Sequence, residues 1–242
     1  MLTTAGLAKV VRIVGTSHET AEFKALLESL HSAEHPRVRF CPEGHKIFPG
    51  LTRDFACDEC GYKGTRAVTF SKDTRFRIEN SRLYHFSVGV AVFCLFDGDT
   101  EDRLVLLRRA THPVGAFTIP SGHWDRGEDP RTSAEKEVEE ETGLEPESLD
   151  WPAIPDQDTL EEGCRSGSDW HIWHFYLCRA KKEQADLALP ADKNRGTHRT
   201  GENDMIGWIP VSQAKAGLFW LTRPAGHFLS REWGELRHVL PR

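Results

Sequence analysis

Residues 122–144 read GHWDRGEDPRTSAEKEVEEETGL, and the reading of this stretch decides the fold. Asp129 before Pro130 has the chemistry of a helix N-cap followed by proline at the first helical position, and Gly143 can supply the left-handed residue that ends a helix. The spacing predicts a helix from about Pro130 to Thr142. On it Glu137, Glu140 and Glu141 are related by i,i+3 and i,i+4 spacing, so the carboxylates leave from one face. Like charges crowded that way destabilise a helix unless a cation neutralises them. A hard ion with oxygen ligands, Mg²⁺ first and Mn²⁺ second, meets that need. Ala134 and Val138 give the helix an apolar face to dock on a core, and Lys136 is spaced to pair with Glu140. The bland reading is an acidic helix turned to solvent. It leaves the turn chemistry of the loop from Gly122 to Glu128 unexplained.

Gly122, Glu128, Glu137, Val138, Glu140, Glu141, Gly143 and Leu144 fit the pattern G-x5-E-x7-R-E-U-x-E-E-x-G-U, with U aliphatic. Only Lys136 departs, standing where the pattern has arginine. On these residues the chain resembles the Nudix hydrolases, which as a family cleave a nucleoside diphosphate linked to another group. The resemblance implies an α/β fold, an α/β/α sandwich on a mixed sheet. It also implies that Glu137, Glu140 and Glu141, with the carbonyl of Gly122, hold the catalytic metal. Glu128 then fixes the loop or reaches metal through water, and Lys136 replaces an arginine that orients a metal-binding glutamate. Lysine keeps the charge but lacks the planar fork. The general base in such enzymes comes from the box or from a distant loop. Glu202, Asp204, Glu161 and Glu162 are the distant carboxylates, each of which also reads as an ordinary solvated loop residue.

A second cluster precedes the box. Cys41-Pro-Glu-Gly-His45 and Cys57-Asp-Glu-Cys60-Gly-Tyr62 are short knuckles separated by 11 residues. Three thiolates and one imidazole would close a tetrahedral Zn²⁺ site with no open position, which makes the zinc structural. The stretch resembles a zinc ribbon. The alternative is one free cysteine and an ordinary surface His45, because the C-x3-H half of the pattern is loose. Cys94, Cys164 and Cys178 have no partner spacing, and Cys94 and Cys178 read as small buried hydrophobes.

The chain of 242 residues, 38% hydrophobic, can bury one sizeable core and a small module. Its organisation reads as an N-terminal helical segment at 1–36, a zinc-ribbon-like module at 37–70, and the Nudix domain at 84–240. The first segment has a capping box at Thr16 and Glu19 with Phe23, Leu26, Leu27 and Leu30 on one side. A polar, basic stretch from Ser71 to Arg82 reads as a linker. Strands are expected at Tyr84–Phe96, Leu104–Arg108, Phe117–Pro120, Trp170–Arg179 and Met205–Ile209, and helices at Val211–Gly217 and Pro224–His238.

A formal net charge of −6 gives no general attraction to nucleic acid or an anionic membrane. With no apolar run of membrane-spanning length and no signal-peptide layout, the expectation is a soluble, cytoplasmic protein acting on a small nucleotide-type substrate, with room for a homodimer. Phe117, Trp124, Trp170, Trp173 and Trp208 are candidate stacking platforms for a base, although aromatics in strands are more often core. A ribbon before such a domain is similar to the layout of NADH pyrophosphatases, yet residues 145–169 lack the S-Q-P-W-P-F-P array those carry. Two other classes compete. One is a ligand sensor without catalysis, disfavoured by the retained acids. The other is nucleic-acid binding through the ribbon with Lys63, Arg66, Lys72, Arg75, Arg77 and Arg82, diluted by Asp73 and Glu79.

Overall fold

In the computed structural model the described residues run from 37 to 231, less 48–54, 65–67, 72, 74, 80–81, 112, 152–155, 162–167, 169, 183–184 and 186–201. The helix expected at 1–36, together with Glu162 and Cys164, lies outside them. The chain divides into two compact units. The first takes residues up to Phe86 with 123–127 and 159–172, and the second takes 87–122, 128–158 and 173–242. The first unit takes two segments, 123–127 and 159–172, from inside the expected 84–240 domain. Segments distant in sequence complete one another's cores, which no composition shift reveals.

The first unit holds β1 (Arg37–Phe40), β2 (Lys46–Ile47), β3 (Phe55–Ala56), β4 (Lys63–Gly64), β5 (Val68–Ser71) and β6 (Phe76–Glu79). β1 pairs antiparallel with both β2 and β5, and β3 with β4. β6 corrects the linker expected at 71–82. It pairs antiparallel with the start of β7 (Arg82–Cys94), Phe76 opposite His85 and Glu79 opposite Arg82. Its charges concealed a strand in which buried Phe76 alternates with exposed Arg77. Phe70 anchors this unit, packing on Phe40 at 6.0 Å and Phe76 at 4.8 Å between ring centres.

The remaining strands are β8 (Arg103–Arg109), β9 (Phe117–Thr118), β10 (Ser121–His123), β11 (Leu149–Asp150), β12 (Asp156–Glu161), β13 (Trp170–Ala180) and β14 (Asn203–Pro210). The sheet order is β11-β13-β7-β8-β14, with β9 beside β8. Antiparallel pairs such as β7–β8 and β8–β14 coexist with a parallel bridge from Phe117 to Leu221, so the sheet is mixed. β7 is central, and every residue from Ser87 to Cys94 is buried. That explains its near-continuous apolar run. Asp97-Gly98-Asp99 turns β7 into β8, Gly98 adopting φ 83° and Asp99 holding Arg103 through two bonds of 2.7 and 2.8 Å. Three α-helices, α1 (Pro130–Thr142), α2 (Val211–Lys215) and α3 (Arg223–Arg231), and a 3-10 turn at Pro146–Ser148 lie in the second unit's described part. α3 puts Phe228 against Phe93 and Phe175, at 6.1 and 6.5 Å. The strands and helices expected within the described residues are present, with ends shifted by a few residues; residues 232–238 of the helix expected at Pro224–His238 lie outside the described residues. The α/β class is as expected.

Candidate functional site

α1 begins and ends as its sequence dictates. The Asp129 carboxylate accepts from the backbone N–H groups of Arg131 and Thr132 at 3.1 and 3.3 Å, and Pro130 occupies the first turn. Gly143 adopts φ 75° and its N–H donates to the Glu139 carbonyl at 2.9 Å. Ala134 and Val138 are fully buried, which docks the helix and fixes the rotation of its acidic face.

That face meets β10. A Cβ at Gly122 would overlap the Glu137 carboxylate, so any other residue here would make the glutamate move. One residue earlier, the Ser121 N–H donates to Glu141 Oε2 at 2.8 Å. The other Glu141 oxygen accepts from Asn203 Nδ2 at 3.0 Å. Burial, and then the charges of Glu141 and Glu140, push Glu137 up to about 8. Burial also pushes Glu141 up to about 7, against the lowering effect of its bonds from Ser121 and Asn203 and of the Arg109 charge. Glu140 is partly exposed on the same helix. Two crowded, desolvated carboxylates beside a backbone carbonyl make an all-oxygen donor set suited to a hard divalent cation.

Asn203 is the residue the sequence did not reveal. It is 1% exposed and stands where β14 breaks register against β8, between Asn203 and Met205. Such a bulge re-aims a side chain, and no residue pattern announces it. Since Glu141 can only accept when ionised, the amide must turn Nδ2 toward it. Asn203 Oδ1 then has no hydrogen-bond partner among the described residues.

Lys136 does not pair with Glu140. Its ammonium stands 4.0 Å from Glu128 Oε1, and Ser133 Oγ donates to Glu128 Oε2 at 2.6 Å. Glu128 is thus tied to α1 and closes the loop. Of the distant carboxylates, Asp204 is held on the surface by Arg108 through bonds of 2.7 and 3.2 Å. Glu202 is partly buried 3.9 Å from Arg109, and its charge raises both Glu137 and Glu141. Glu161 is exposed and belongs to the first unit.

The aromatic candidates separate by exposure. Trp124 is 7% exposed, with the Arg75 guanidinium 3.5 Å from its ring centre and Phe86 edge-on at 5.5 Å. Trp173 is 5% exposed and stacks on Phe175 at 5.4 Å. Both are packed as core aromatics, the more frequent of the two readings of such residues. Trp208 takes Phe96 edge-on at 5.5 Å. Phe117 and Trp170 keep partial exposure, Phe117 against Phe219 and Trp170 beneath Arg82. Arg75, Arg77 and Arg82 all lie over aromatic rings of their own unit, whereas Arg66 and Lys72 lie outside the described residues.

The knuckles converge in the first unit. Gly44 and Gly61 adopt φ 73° and 72°, and their N–H groups donate to the carbonyls of Cys41 and Cys57, each at 2.8 Å. The ligand atoms of Cys41, His45, Cys57 and Cys60 lie within 4.8 Å of one another. Cys41 and Cys60 sulfurs are 3.8 Å apart, and His45 Nδ1 is 3.5 and 3.8 Å from the sulfurs of Cys41 and Cys57. With zinc–sulfur bonds of about 2.3 Å, two thiolates on one tetrahedral ion stand roughly 3.8 Å apart. The residues fit a zinc ion. Burial pushes the Cys41 thiol up to about 11, so a metal must displace its proton to bind.

Residues 85–230 match the NUDIX domain family, and the chain belongs to that family. A methanol dehydrogenase activator of Bacillus methanolicus is 33% identical over 89 residues, covering 35% of this chain and 44% of that protein. The chain thus spans under half the length of that relative. Among solved structures, a Nudix hydrolase from M. smegmatis has 17% identity and a TM-score of 0.49, covering 69% of this chain and 97% of its own. A C. elegans Ap4A hydrolase has 19% identity and a TM-score of 0.46, covering 64% and 98%. Among the described residues no helix is long and apolar enough to cross a membrane.

Proposed function

We propose that the protein is a metal-dependent Nudix hydrolase that cleaves the pyrophosphate bond of a nucleoside diphosphate linked to another group. The observation that carries this reading is the close packing of the Glu137 carboxylate on Gly122 beside the buried Glu141, with both carboxyls raised well above their ordinary range. Such a cluster is relieved by protonation or by a divalent cation. Glu137, Glu140, Glu141 and the Gly122 carbonyl hold Mg²⁺ or Mn²⁺ in this reading. When bound, the ion neutralises phosphate charge and makes a bound water more acidic.

The chain's own residues position and move protons. Ser121 N–H and Asn203 Nδ2 fix both oxygens of Glu141, and Asn203 Oδ1 is left to accept from a water at the site. Lys136 and Ser133 hold Glu128 so that the loop keeps Gly122 in place. Glu202, whose charge reaches Glu137 and Glu141, is the distant carboxylate best placed to take a proton from the attacking water. Phe117 offers a partly exposed ring to the substrate in the same unit. The Cys41, His45, Cys57 and Cys60 set holds a structural zinc.

A panel of nucleotide sugars, dinucleotides and nucleoside triphosphates, each with Mg²⁺ or Mn²⁺, tests the reading by the phosphate-containing products. Metal-dependent cleavage of one class supports it. Absence of cleavage, with saturable binding of the same compounds, would turn the reading to a ligand sensor.

A further inference from the structure

The basic residues of 71–82 serve neither the glutamate cluster nor the knuckles, and one of them meets the loop that leads into α1. Between Gly122 and Glu128 the chain runs through His123, Trp124, Asp125, Arg126 and Gly127. The Trp124 N–H donates to the Phe86 carbonyl at 3.0 Å, and the Arg126 N–H donates to the Asp73 carbonyl at 2.8 Å. The Arg75 guanidinium lies 3.5 Å from the centre of the Trp124 ring and 5.2 Å from that of Phe86. Residues 123–127, Asp73, Arg75 and Phe86 all belong to one compact unit. The middle of the loop is thus held by residues distant in sequence.

We propose that Arg75 is a positioning residue for this loop: by clamping Trp124 it fixes the path of the chain from Gly122 to Glu128, and with it the aim of the Gly122 carbonyl. The inference rests on the reading of Glu137, Glu140, Glu141 and the Gly122 carbonyl as ligands of Mg²⁺ or Mn²⁺. The ends of the loop have ties of their own, from the Ser121 N–H to Glu141 and from Glu128 to Ser133 and Lys136. Those ties leave the five residues between them to other contacts. Gly127, exposed and at φ 82°, makes the stretch a turn that costs entropy to order. The clamp offsets that cost.

The chemistry of the contact agrees. Tryptophan offers a cation the best of the aromatic faces, and the attraction is largest where both partners leave water. Trp124 is 7% exposed, and burial lowers Arg75 from the ordinary guanidinium value without discharging it. A linker arginine would extend into solvent. Arg75 gives up part of its hydration, which the ring face offsets, and its flat fork covers the indole as an ammonium cannot. The placement matters for the ion because Mg²⁺ demands near-ideal octahedral geometry, so a carbonyl ligand that loses its aim weakens binding.

The test uses zinc-loaded full-length protein and measures free Mn²⁺ by electron paramagnetic resonance, so that binding is read without turnover. Arg75→Met keeps the length of the side chain without its charge, and Trp124→Leu keeps an apolar filling without the ring face. Circular dichroism verifies each fold. Either variant should bind Mn²⁺ roughly 10-fold more weakly, the weight of one desolvated cation–ring contact. The double variant should lose little more, as partners in a single contact do. Arg75→Lys, the mildest change, should show an intermediate loss, because the ammonium keeps the charge and lacks the flat face. A merely structural contact would lower the melting temperature and leave the Mn²⁺ affinity of the folded variants as in wild type. That result, or losses that add in full in the double variant, would overturn the proposal alone. Mn²⁺ binding that Glu141→Gln leaves unchanged would overturn the glutamate site and the proposal together.

Discussion

The glutamate cluster and the cysteine knuckles each gather several ligand side chains, yet they reach that state by opposite routes. α1 is capped at both ends and docked through Ala134 and Val138, so Glu137, Glu140 and Glu141 are held on one face whether or not an ion is bound. The cost of that preorganisation is electrostatic, and it is visible in the raised Glu137 and Glu141. Among the described residues the knuckles are flanked by short strands and turns. Buried Cys41 and Cys57 pack with Tyr62, so the ligands themselves form the local core. A rigid scaffold can lose its ion and keep its shape, whereas a core made of ligands depends on the metal to fold.

The largest expected effect is on the rigid side. Glu140→Gln or Glu141→Gln should lower hydrolysis by on the order of 10²-fold or more while the fold and zinc content stay as in wild type. Steady-state rates with elemental analysis check this, and near-normal turnover in either variant would remove the catalytic assignment. On the metal-dependent side, Cys57→Ser should release about one zinc per chain and destabilise the first unit by several kcal/mol. Hydrogen exchange of residues 37–71 reads the effect. Wild-type protein that is zinc-free and equally stable would show that the four residues are no site.

Next comes the electrostatic cost itself. Unfolded glutamates titrate near about 4.3, so between that value and the raised ones the folded protein holds protons that the unfolded chain has released. Stability of the Mg²⁺-free protein should be fullest at the acid end of this window and fall as pH rises toward about 8, by a few kcal/mol. Saturating Mg²⁺ should restore it at the upper end. Thermal melts at both ends, with and without Mg²⁺, give the answer, and a metal-free stability that rises through the window would contradict the crowding.

Asn203→Ala should cost roughly 10-fold in activity, the weight of one hydrogen bond to a buried charge. The concentration of Mn²⁺ needed for half-activation should increase with it, and an unchanged metal dependence would leave Asn203 a packing residue. The smallest effect is expected from Lys136→Arg, which should match or slightly raise the rate, because the fork can hold Glu128 by two bonds where the ammonium stands 4.0 Å away. A markedly slower variant would give Lys136 a role of its own.

The sequence by itself determined α1 and its caps, the gathering of the three glutamates on one face, the two cysteine knuckles and the α/β class. Each depends on residues close in the chain, where i,i+4 spacing, an N-cap or a glycine turn settles the geometry. The tertiary structure decided what depends on distant residues. Asn203 reaches Glu141 through a bulge in β14, and Lys136 turns to Glu128, which lies before the helix, instead of to Glu140 along it. The strand at Phe76–Glu79 exists because β7 accepts it, and Trp124 and Trp173 are covered by neighbours that no local pattern names. Local spacing fixes what one element presents, whereas the packing of elements fixes what meets it.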